Sequence, residues 1–176
     1  MAAVRLEMKN NRIAFEEHEG DPSSLKGFKE ITRHLVFDIK LGENFRRKDR
    51  FCADGHKTEA PPSVTHSTVV SHDSVRIILL VAALNDLEVL CGNVQNAYLT
   101  APNKEKVYIR AGREFTCVSG NEDLAEKILI ITRALYGMKS TGASFRAFMA
   151  NQLDKMGFKS STADPDVWMR PAIKPD

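Results

Sequence analysis

Four basic side chains within five positions give the sequence its clearest candidate for phosphate chemistry: Arg46, Arg47, Lys48 and Arg50. A guanidinium donates two hydrogen bonds from a planar fork, and an ammonium supplies a compact positive charge, so both bind phosphate oxygens. The formal net charge is only +2, so nucleotide or nucleic-acid binding would have to depend on such a local patch. The alternative is a solvated, charged strand face, which is the usual explanation of a short basic run.

A metal site has weaker support in the sequence than a phosphate-binding site. Cys52 and His56 are four positions apart, but no second pair of ligands has the spacing to complete a zinc site. Asp164 and Asp166 flank Pro165, and because Asp and Pro both favour turn backbones, we predict a turn there. These residues therefore predict no metal site.

An antiparallel hairpin should position the basic residues. Residues 34–41 alternate in polarity, with apolar side chains on one face, which is typical of a half-buried strand. Gly42, Glu43 and Asn44 supply a turn, and residues 45–52 alternate again as the return strand. One face of that strand is predicted to carry Arg46, Lys48, Arg50 and Cys52, and the other Phe45, Arg47, Asp49 and Phe51.

The remaining pattern predicts an α+β fold, because strands and helices mix without regular alternation. A short helix, a strand around residues 12–16 and a loop are expected in the first 33 residues. Ser71 should cap a helix over residues 75–87 that is apolar almost all round and therefore deeply buried. Ser140 or Thr141 should cap an amphipathic core helix that Gly157 ends. Further strands are expected at residues 88–95, 107–110 and 127–132.

Composition indicates a globular protein in water. The chain is 43% hydrophobic and 27% charged, and its longest apolar run, Ile77–Leu84, is far shorter than the ~20 residues that cross a bilayer. The start of the sequence has no apolar signal core, and the cysteines are odd in number. We therefore expect an intracellular, reducing location and no membrane partner.

Four stretches, in order, resemble the reverse transcriptase domain of copia-type retrotransposons. KDRFCADGHKT is similar to a Lys-x-Arg-hydrophobic-x-x-x-Gly pattern, through Lys48, Arg50, Phe51 and Gly55. NVQNAYLTAPNKEKVYI resembles an Asp-Val-x-x-Ala-aromatic-Leu segment that leads into a Val-Tyr strand. ALYGMKSTGASF is similar to a Leu-Tyr-Gly-Leu-Lys segment, and GFKSSTADPDVW to a Gly-Phe-x-x-Ser-x-x-Asp-Pro segment. Together they cover roughly residues 30–170.

The resemblance implies an incomplete right-hand polymerase fold, with fingers and a partial palm. Residues 1–33 would be the N-terminal arm of the fingers, 34–72 the fingers hairpin and loop, and 73–176 a partial palm with two core helices. The implied activity is RNA-directed DNA polymerisation by two-metal nucleotidyl transfer with Mg²⁺. The implied partners are an RNA or DNA template-primer, dNTP and other parts of a retrotransposon polyprotein.

The same resemblance assigns roles to individual residues. The nucleotide-binding positions are Lys48, Arg50, Tyr98, Tyr136, Gly137 and Lys139, and Arg46 and Arg47 would bind nucleic acid. Tyr98 would lie below the ribose of the incoming nucleotide, although a core tyrosine near a strand end is the alternative. Residues 136–139 would lie beside template and nucleotide, although a strand-to-helix turn explains them equally.

Asn93 stands where the resemblance places the first metal-binding aspartate, at the end of a palm strand. A neutral amide has one carbonyl oxygen and cannot bridge two divalent cations as a carboxylate can. The alternative is that Asn93 is a turn residue. The Asp-Asp hairpin of the family should follow Trp168, and the sequence given ends at Asp176. We therefore expect no bound Mg²⁺ and no polymerase activity from this chain.

Two other functions remain open at this stage. The first is a non-catalytic nucleic-acid-binding module, in which the basic hairpin pairs with the phosphate backbone and Phe45 and Phe51 stack on bases. The second is a decayed transposon open reading frame without a selected role.

Overall fold

The structure is a computed structural model that describes residues 2–42, 45–59, 65–117 and 124–171. Within these ranges the helices and strands are α1 (Ala2–Asn11), β1 (Phe15–His18), β2 (Lys29–Glu30), β3 (Arg33–Lys40), β4 (Arg46–Ala53), α2 (His72–Leu84), α3 (Ala97–Thr100), β5 (Val107–Arg110), β6 (Ile128–Ile131), α4 (Thr141–Lys155), β7 (Lys159–Ser160) and β8 (Trp168–Met169). Short 3₁₀ helices span Arg12–Ala14, Pro22–Ser24, Gly55–Lys57 and Arg113–Cys117. The α+β prediction is confirmed, and no described helix is long and apolar enough to cross a membrane.

The chain divides into two compact units. The first comprises Met1–His66 and Asn96–Phe145, and the second comprises Ser67–Gln95 and Arg146–Asp176. Most of the residues with predicted roles belong to the first unit, whereas Asn93 belongs to the second.

A four-stranded sheet forms the centre of the first unit, in the order β1-β6-β5-β2. β6 pairs antiparallel with both β1 and β5, and β2 pairs in parallel with β5. The strands predicted at residues 107–110 and 127–132 are confirmed as β5 and β6. The strand predicted around residues 12–16 begins only at Phe15, because a 3₁₀ turn occupies Arg12–Ala14.

Strands β3 and β4 form the predicted antiparallel hairpin, in a register that pairs Arg33 with Ala53 and Lys40 with Arg46. Glu43 and Asn44, two of the predicted turn residues, lie outside the described residues. The apolar face is only half buried: Leu35 packs against the core, but Phe37 and Phe45 are 69% and 71% exposed. The predicted half-buried strand therefore buries its apolar face only at the Leu35 end, because no layer among the described residues covers the distal half.

Three aromatic rings at the heart of the first unit connect the hairpin to the sheet. Phe15, Phe51 and Phe115 meet edge to face, with ring centroids 5.4–5.7 Å apart. All three side chains are buried. Because edge-to-face packing aligns ring edges with ring faces, the trio fixes the base of β4 to strand β1 and the 3₁₀ helix at residues 113–117.

The predicted turn at Asp164–Asp166 serves as a connector within the second unit. Asp164 Oδ2 accepts hydrogen bonds from Ser71 N at 2.9 Å and Ser74 Oγ at 2.6 Å, at the start of α2. Asp166 Oδ1 pairs with Arg146 Nε of α4 at 2.7 Å. The turn therefore ties the beginning of α2 to α4, and Ser71 is confirmed as the N-cap, since its Oγ accepts from Ser74 N.

Helix α2 corrects the prediction of a deeply buried helix. It ends at Leu84 rather than at residue 87, and Ala82 is its one buried residue. Ile77 and Leu84 are 61% and 75% exposed. An apolar sequence indicates which side chains gain from burial, but burial also needs a partner surface, and the described residues do not supply one around this helix.

The strand predicted at residues 88–95 is absent. This segment is described throughout and has no regular secondary structure, and Leu90 is almost fully exposed. A strand is stabilised by a ladder on at least one edge, and no described strand pairs with these residues.

Helix α4 begins at Thr141, and Gly157, with φ +83°, follows it as the predicted stop. The side-chain cap by Ser140 or Thr141 stays a prediction, and both hydroxyls also donate hydrogen bonds: Ser140 to Glu105 Oε1, and Thr141 to Leu135 O at 2.5 Å. The helix is less buried than a core helix. Most of its apolar side chains are half-buried, and Met156 is exposed.

Candidate nucleotide-binding site

The basic residues lie on both faces of β4, as the alternation predicts. Arg46, Lys48 and Arg50 share one face of β4. On this face Lys48 lies opposite Asp38 in the strand register, and Arg50 Nη1 lies 3.8 Å from Asp38 Oδ2. Arg47 lies on the opposite face across from Ile39. Lys48 and Arg50 are half-buried rather than fully solvated.

Tyr136 continues this surface beyond the end of β4. It forms an isolated parallel bridge with Cys52, and its carbonyl oxygen accepts a hydrogen bond from Ala53 N at 2.8 Å. Cys52 follows Arg50 by two positions, so it shares the face of Lys48 and Arg50. The segment that contains Tyr136 is therefore attached to the basic strand through its backbone.

Tyr98 packs against Tyr136 from the short helix α3. Their ring centroids are 4.9 Å apart, and the Phe145 ring lies 6.0 Å from Tyr98. Asn96, with φ +50°, turns the chain immediately before α3. All three rings are half-buried, so they form an aromatic cluster that keeps part of its surface in solvent. The structure thus brings Lys48, Arg50, Tyr98 and Tyr136 into one region of the first unit.

The phenol of Tyr136 reports the electrostatics of this region. Its pKa is raised, chiefly by burial and then by the negative charge of Glu7, while the positive charge of Arg50 acts in the opposite direction. Burial likewise raises the pKa of the Cys52 thiol. Both groups are therefore neutral near pH 7, and the positive charge of Arg50 acts to lower the pKa of each.

Gly137 and Lys139 are engaged within the protein itself. Gly137 has φ +88°, and a side chain there would overlap the Ala53 carbonyl oxygen, so its close approach is to β4. Lys139 Nζ donates to Thr58 O at 2.5 Å. These interactions favour the strand-to-helix turn as the explanation of both residues.

Asp54 is buried at the base of the hairpin, where three side chains donate hydrogen bonds to its carboxylate. Its carboxylate accepts hydrogen bonds from Lys57 Nζ at 2.8 Å, from the Thr32 hydroxyl and from His34 Nδ1 at 2.6 Å. The Lys57 ammonium and the Thr32 hydroxyl hold the pKa of this carboxyl well below its usual range. The carboxylate of Asp54 is thus engaged by groups at the base of the hairpin, and its charge still contributes to raising the pKa of Cys52.

Asn93 does not lie at the end of a strand, which corrects its predicted setting. It is exposed, in the irregular segment between α2 and α3. The assignment of Asn93 to the first metal-binding position therefore depends only on the resemblance of the VQNAYL segment to the family motif, because the described residues just before Asn93 form no strand.

Two acidic residues that position backbone groups were missed by sequence reasoning. Glu105 Oε1 accepts from Ser140 N at 3.1 Å and from the Ser140 hydroxyl. Glu7 Oε1 accepts from Phe51 N at 3.0 Å. Neither residue has a local signal, because in each pair the partners are more than thirty positions apart in the chain.

Comparison with known families agrees with the motif resemblance. The family model described as reverse transcriptase (RNA-dependent DNA polymerase) matches residues 22–173. The chain therefore belongs to the reverse transcriptase family. No solved structure gives a significant match.

Mg²⁺ is the metal that reverse transcriptases generally use, so its fit to these residues can be tested. Hard divalent cations select charged oxygen ligands, and the position that resembles the first aspartate offers a neutral amide in Asn93. Among the described residues, no group of three His, Cys, Asp or Glu side chains is placed to hold a metal ion. The described residues therefore do not fit a two-metal site.

Proposed function

We propose that this chain is part of a copia-type retrotransposon reverse transcriptase that retains a nucleotide-binding surface but does not itself polymerise DNA. The observation that supports binding is the continuity of the surface, from Lys48 and Arg50 on β4 to Tyr136 and Tyr98. A triphosphate pairs with the guanidinium and ammonium groups, and a base or sugar packs on an aromatic ring.

The copia-type assignment and the division into parts belong to the same proposal. The four ordered motifs support the subfamily. In this view residues 1–33 are the arm of the fingers, 34–72 the fingers hairpin and loop, and 73–176 a partial palm in an incomplete right-hand fold. The protein works inside cells with an RNA or DNA template-primer and dNTP, as one part of a retrotransposon polyprotein.

Inactivity follows from the donor chemistry at Asn93. Bridging two divalent cations needs a charged carboxylate, and an amide supplies one neutral oxygen. The test is extension of a labelled primer on an RNA template with Mg²⁺ and, separately, with Mn²⁺. We expect no product from the natural chain, because the amide of Asn93 supplies no charged oxygen to a divalent cation. Extension by the natural chain would contradict the proposal.

Nucleotide binding is tested separately from catalysis. Titration with dATP, followed by calorimetry, should give measurable binding that weakens roughly tenfold in Arg50→Ala, since a hydrogen bond to a charged group contributes about 1.5–3 kcal/mol. Arg47→Ala is the matched control, because Arg47 is an arginine of the same strand on the opposite face. Equal effects in both variants would indicate a general charge effect rather than a site.

A second candidate function is nucleic-acid binding without catalysis, favoured by the exposed face of the hairpin. Phe37 is exposed on the face that carries Arg47, and Phe45 is exposed immediately before β4, so rings and a cation are available for unpaired bases and phosphate. The hypothesis is corrected for Phe51, which is buried and cannot stack on a base.

This second function predicts salt-dependent affinity for a template-primer duplex with a single-stranded overhang. Neutralising Arg46, Arg47 and Lys48 together should lower the slope of log affinity against log salt, by about 0.9 for each phosphate that the protein no longer neutralises. Phe45→Ala should weaken overhang binding without changing that slope, because stacking does not release counterions. Affinity that survives the triple change would exclude the hairpin as the binding surface.

A further inference from the structure

An N-terminal segment that precedes the family match is part of the folded core. The match begins at residue 22, yet Met8, Ala14 and Phe15 are almost completely buried. Strand β1 lies in the same segment and pairs along its whole length with β6. The reverse transcriptase domain of this chain therefore includes structural elements that the family model does not cover.

Helix α1 reaches the free edge of the basic strand through one carboxylate. Glu7 Oε1 accepts a hydrogen bond from the backbone N–H of Phe51 at 3.0 Å. The same oxygen accepts from Asn11 Nδ2 at 2.9 Å, and Asn11 Nδ2 also reaches Glu7 O at 2.9 Å. Asn11 is buried, and its side-chain amide holds the Glu7 carboxylate in place on helix α1, from which the same oxygen accepts the Phe51 N–H.

The outer edge of β4 is completed by two different partners. Ala53 N donates to Tyr136 O at 2.8 Å, and Phe51 N, two residues earlier, donates to Glu7. Alternate N–H groups on one strand point to the same edge, and an unpaired buried N–H is costly. Glu7 thus takes the place that a neighbouring strand would occupy beside Phe51.

The charge of Glu7 also reaches the candidate nucleotide site. Burial first, and Glu7 second, raise the pKa of the Tyr136 phenol, whereas Arg50 lowers it. Arg50 immediately precedes Phe51, so the peptide that Glu7 holds is the one that joins the two residues. A shift of this peptide would move the Arg50 side chain relative to the Tyr136 ring.

We propose that Glu7 is a positioning residue, which completes the edge of β4 and thereby sets Arg50 against Tyr136. Its role at the strand edge does not depend on the proposed function. Its effect on nucleotide affinity rests on that function. The two parts are therefore measured separately on the full chain.

The edge role is measured by hydrogen exchange of the Phe51 amide, resolved by NMR. Glu7→Ala should accelerate this exchange by on the order of tenfold, because a hydrogen bond to a charged group is removed. Glu7→Gln keeps a carbonyl acceptor and should restore most of the protection. Leu6→Ala is the matched control, since Leu6 is an exposed neighbour on α1, and it should leave the exchange rate unchanged.

A second readout separates positioning from a loss of helix packing. Glu7→Gln removes the charge but keeps the hydrogen bond, so the Tyr136 phenol should titrate at lower pH by ultraviolet absorbance while Phe51 stays protected. Should Glu7→Ala unfold, the phenol titration of Glu7→Gln still tests whether the charge of Glu7 reaches Tyr136. An unchanged phenol titration, or a Phe51 amide as protected in Glu7→Ala as in the natural chain, would overturn the proposal.

Titration with dATP completes the design. Binding should weaken several-fold in Glu7→Ala and recover in Glu7→Gln. If the natural chain does not bind dATP at all, the proposed function fails, while the exchange and phenol results still decide the role of Glu7.

Discussion

Gly55 and Gly137 face each other through their backbones, at the point where the hairpin meets the segment that follows β6. A methyl group built on Gly55 would lie 2.6 Å from the Gly137 carbonyl oxygen. A methyl group on Gly137 would overlap the Ala53 carbonyl oxygen. The close packing that joins β4 to Tyr136 therefore depends on two missing side chains, one from each of two separate motifs.

Gly137→Ala should destabilise the first unit by more than about 3 kcal/mol, because steric overlap with β4 adds to the left-handed backbone penalty. Gly27→Ala is the matched control. Gly27 also has positive φ, at +79°, but nothing lies within 4 Å of an added methyl group, so the destabilisation should be only about 1–2 kcal/mol. Urea unfolding followed by far-ultraviolet circular dichroism measures both. Equal destabilisation would mean that β4 can move away from Gly137.

Phe51→Ala should cost about 3–5 kcal/mol, since it removes a completely buried ring from the aromatic trio. Phe45→Ala, immediately before the same strand and 71% exposed, should stay within about 0.5 kcal/mol of the natural chain. Thermal and urea unfolding of the two variants give the comparison. A small effect of Phe51→Ala would show that Phe15 and Phe115 close the cavity.

Lys139→Met should lower stability by about 1 kcal/mol but change dATP affinity by less than about twofold, because its ammonium bonds Thr58 O. Lys48→Met, on the basic face of β4, should weaken dATP binding and leave the stability almost unchanged. Calorimetric titration and urea unfolding on both variants separate the two effects. A large decrease of dATP affinity in Lys139→Met would mean that its ammonium leaves Thr58 to bind phosphate.

Asp164 should make the second unit sensitive to acid. Hydrogen bonds from Ser74, Ser71 and the Asp166 backbone lower its pKa from 3.8 to about 2. Since the folded pKa lies below the unfolded one, the stabilisation is present above about pH 4 and is lost as pH falls towards about 2. Trp168 is the only tryptophan and lies in this unit, so its fluorescence follows the transition.

Asp164→Asn should abolish that part of the acid transition, because an amide accepts hydrogen bonds but does not titrate in this range. Asp73→Asn, at an exposed position in the first turn of α2, should keep the slope of the natural chain. An identical acid transition in Asp164→Asn would assign the sensitivity to another carboxyl group.

Local patterns account for much of the hairpin and the site. The pairing of β3 with β4 can be predicted from alternating polarity, turn residues and the short separation of the two strands in the sequence. The ordered motifs assign candidate roles to Arg50, Tyr98 and Tyr136. The capping of α2 by Ser71 is equally local, since the two bonded residues are three positions apart. Such features depend on neighbours in the chain, which a sequence shows directly.

The wrong and the missing predictions share a dependence on distant partners. The Ser140 hydroxyl donates to Glu105, thirty-five positions away, a contact that no local pattern predicts. The hydrogen bond between Glu7 and Phe51 spans forty-four positions. Residues 88–95 have the composition of a strand but no ladder partner among the described strands, and α2 is apolar without a covering surface in the described part of the chain. Periodicity describes a preference, whereas burial requires a second surface.

The pairing of β1 with β6 has a consequence for synthesis of the protein. Phe15 cannot join its ladder until Ile131 has left the ribosome, because the two residues are register partners. Sheets made of such distant pairings form slowly, and apolar side chains that await their partners are prone to aggregate. The segment around Phe15 therefore remains vulnerable until the chain has been synthesised beyond residue 131, which makes chaperone dependence and slow refolding expected properties of the chain.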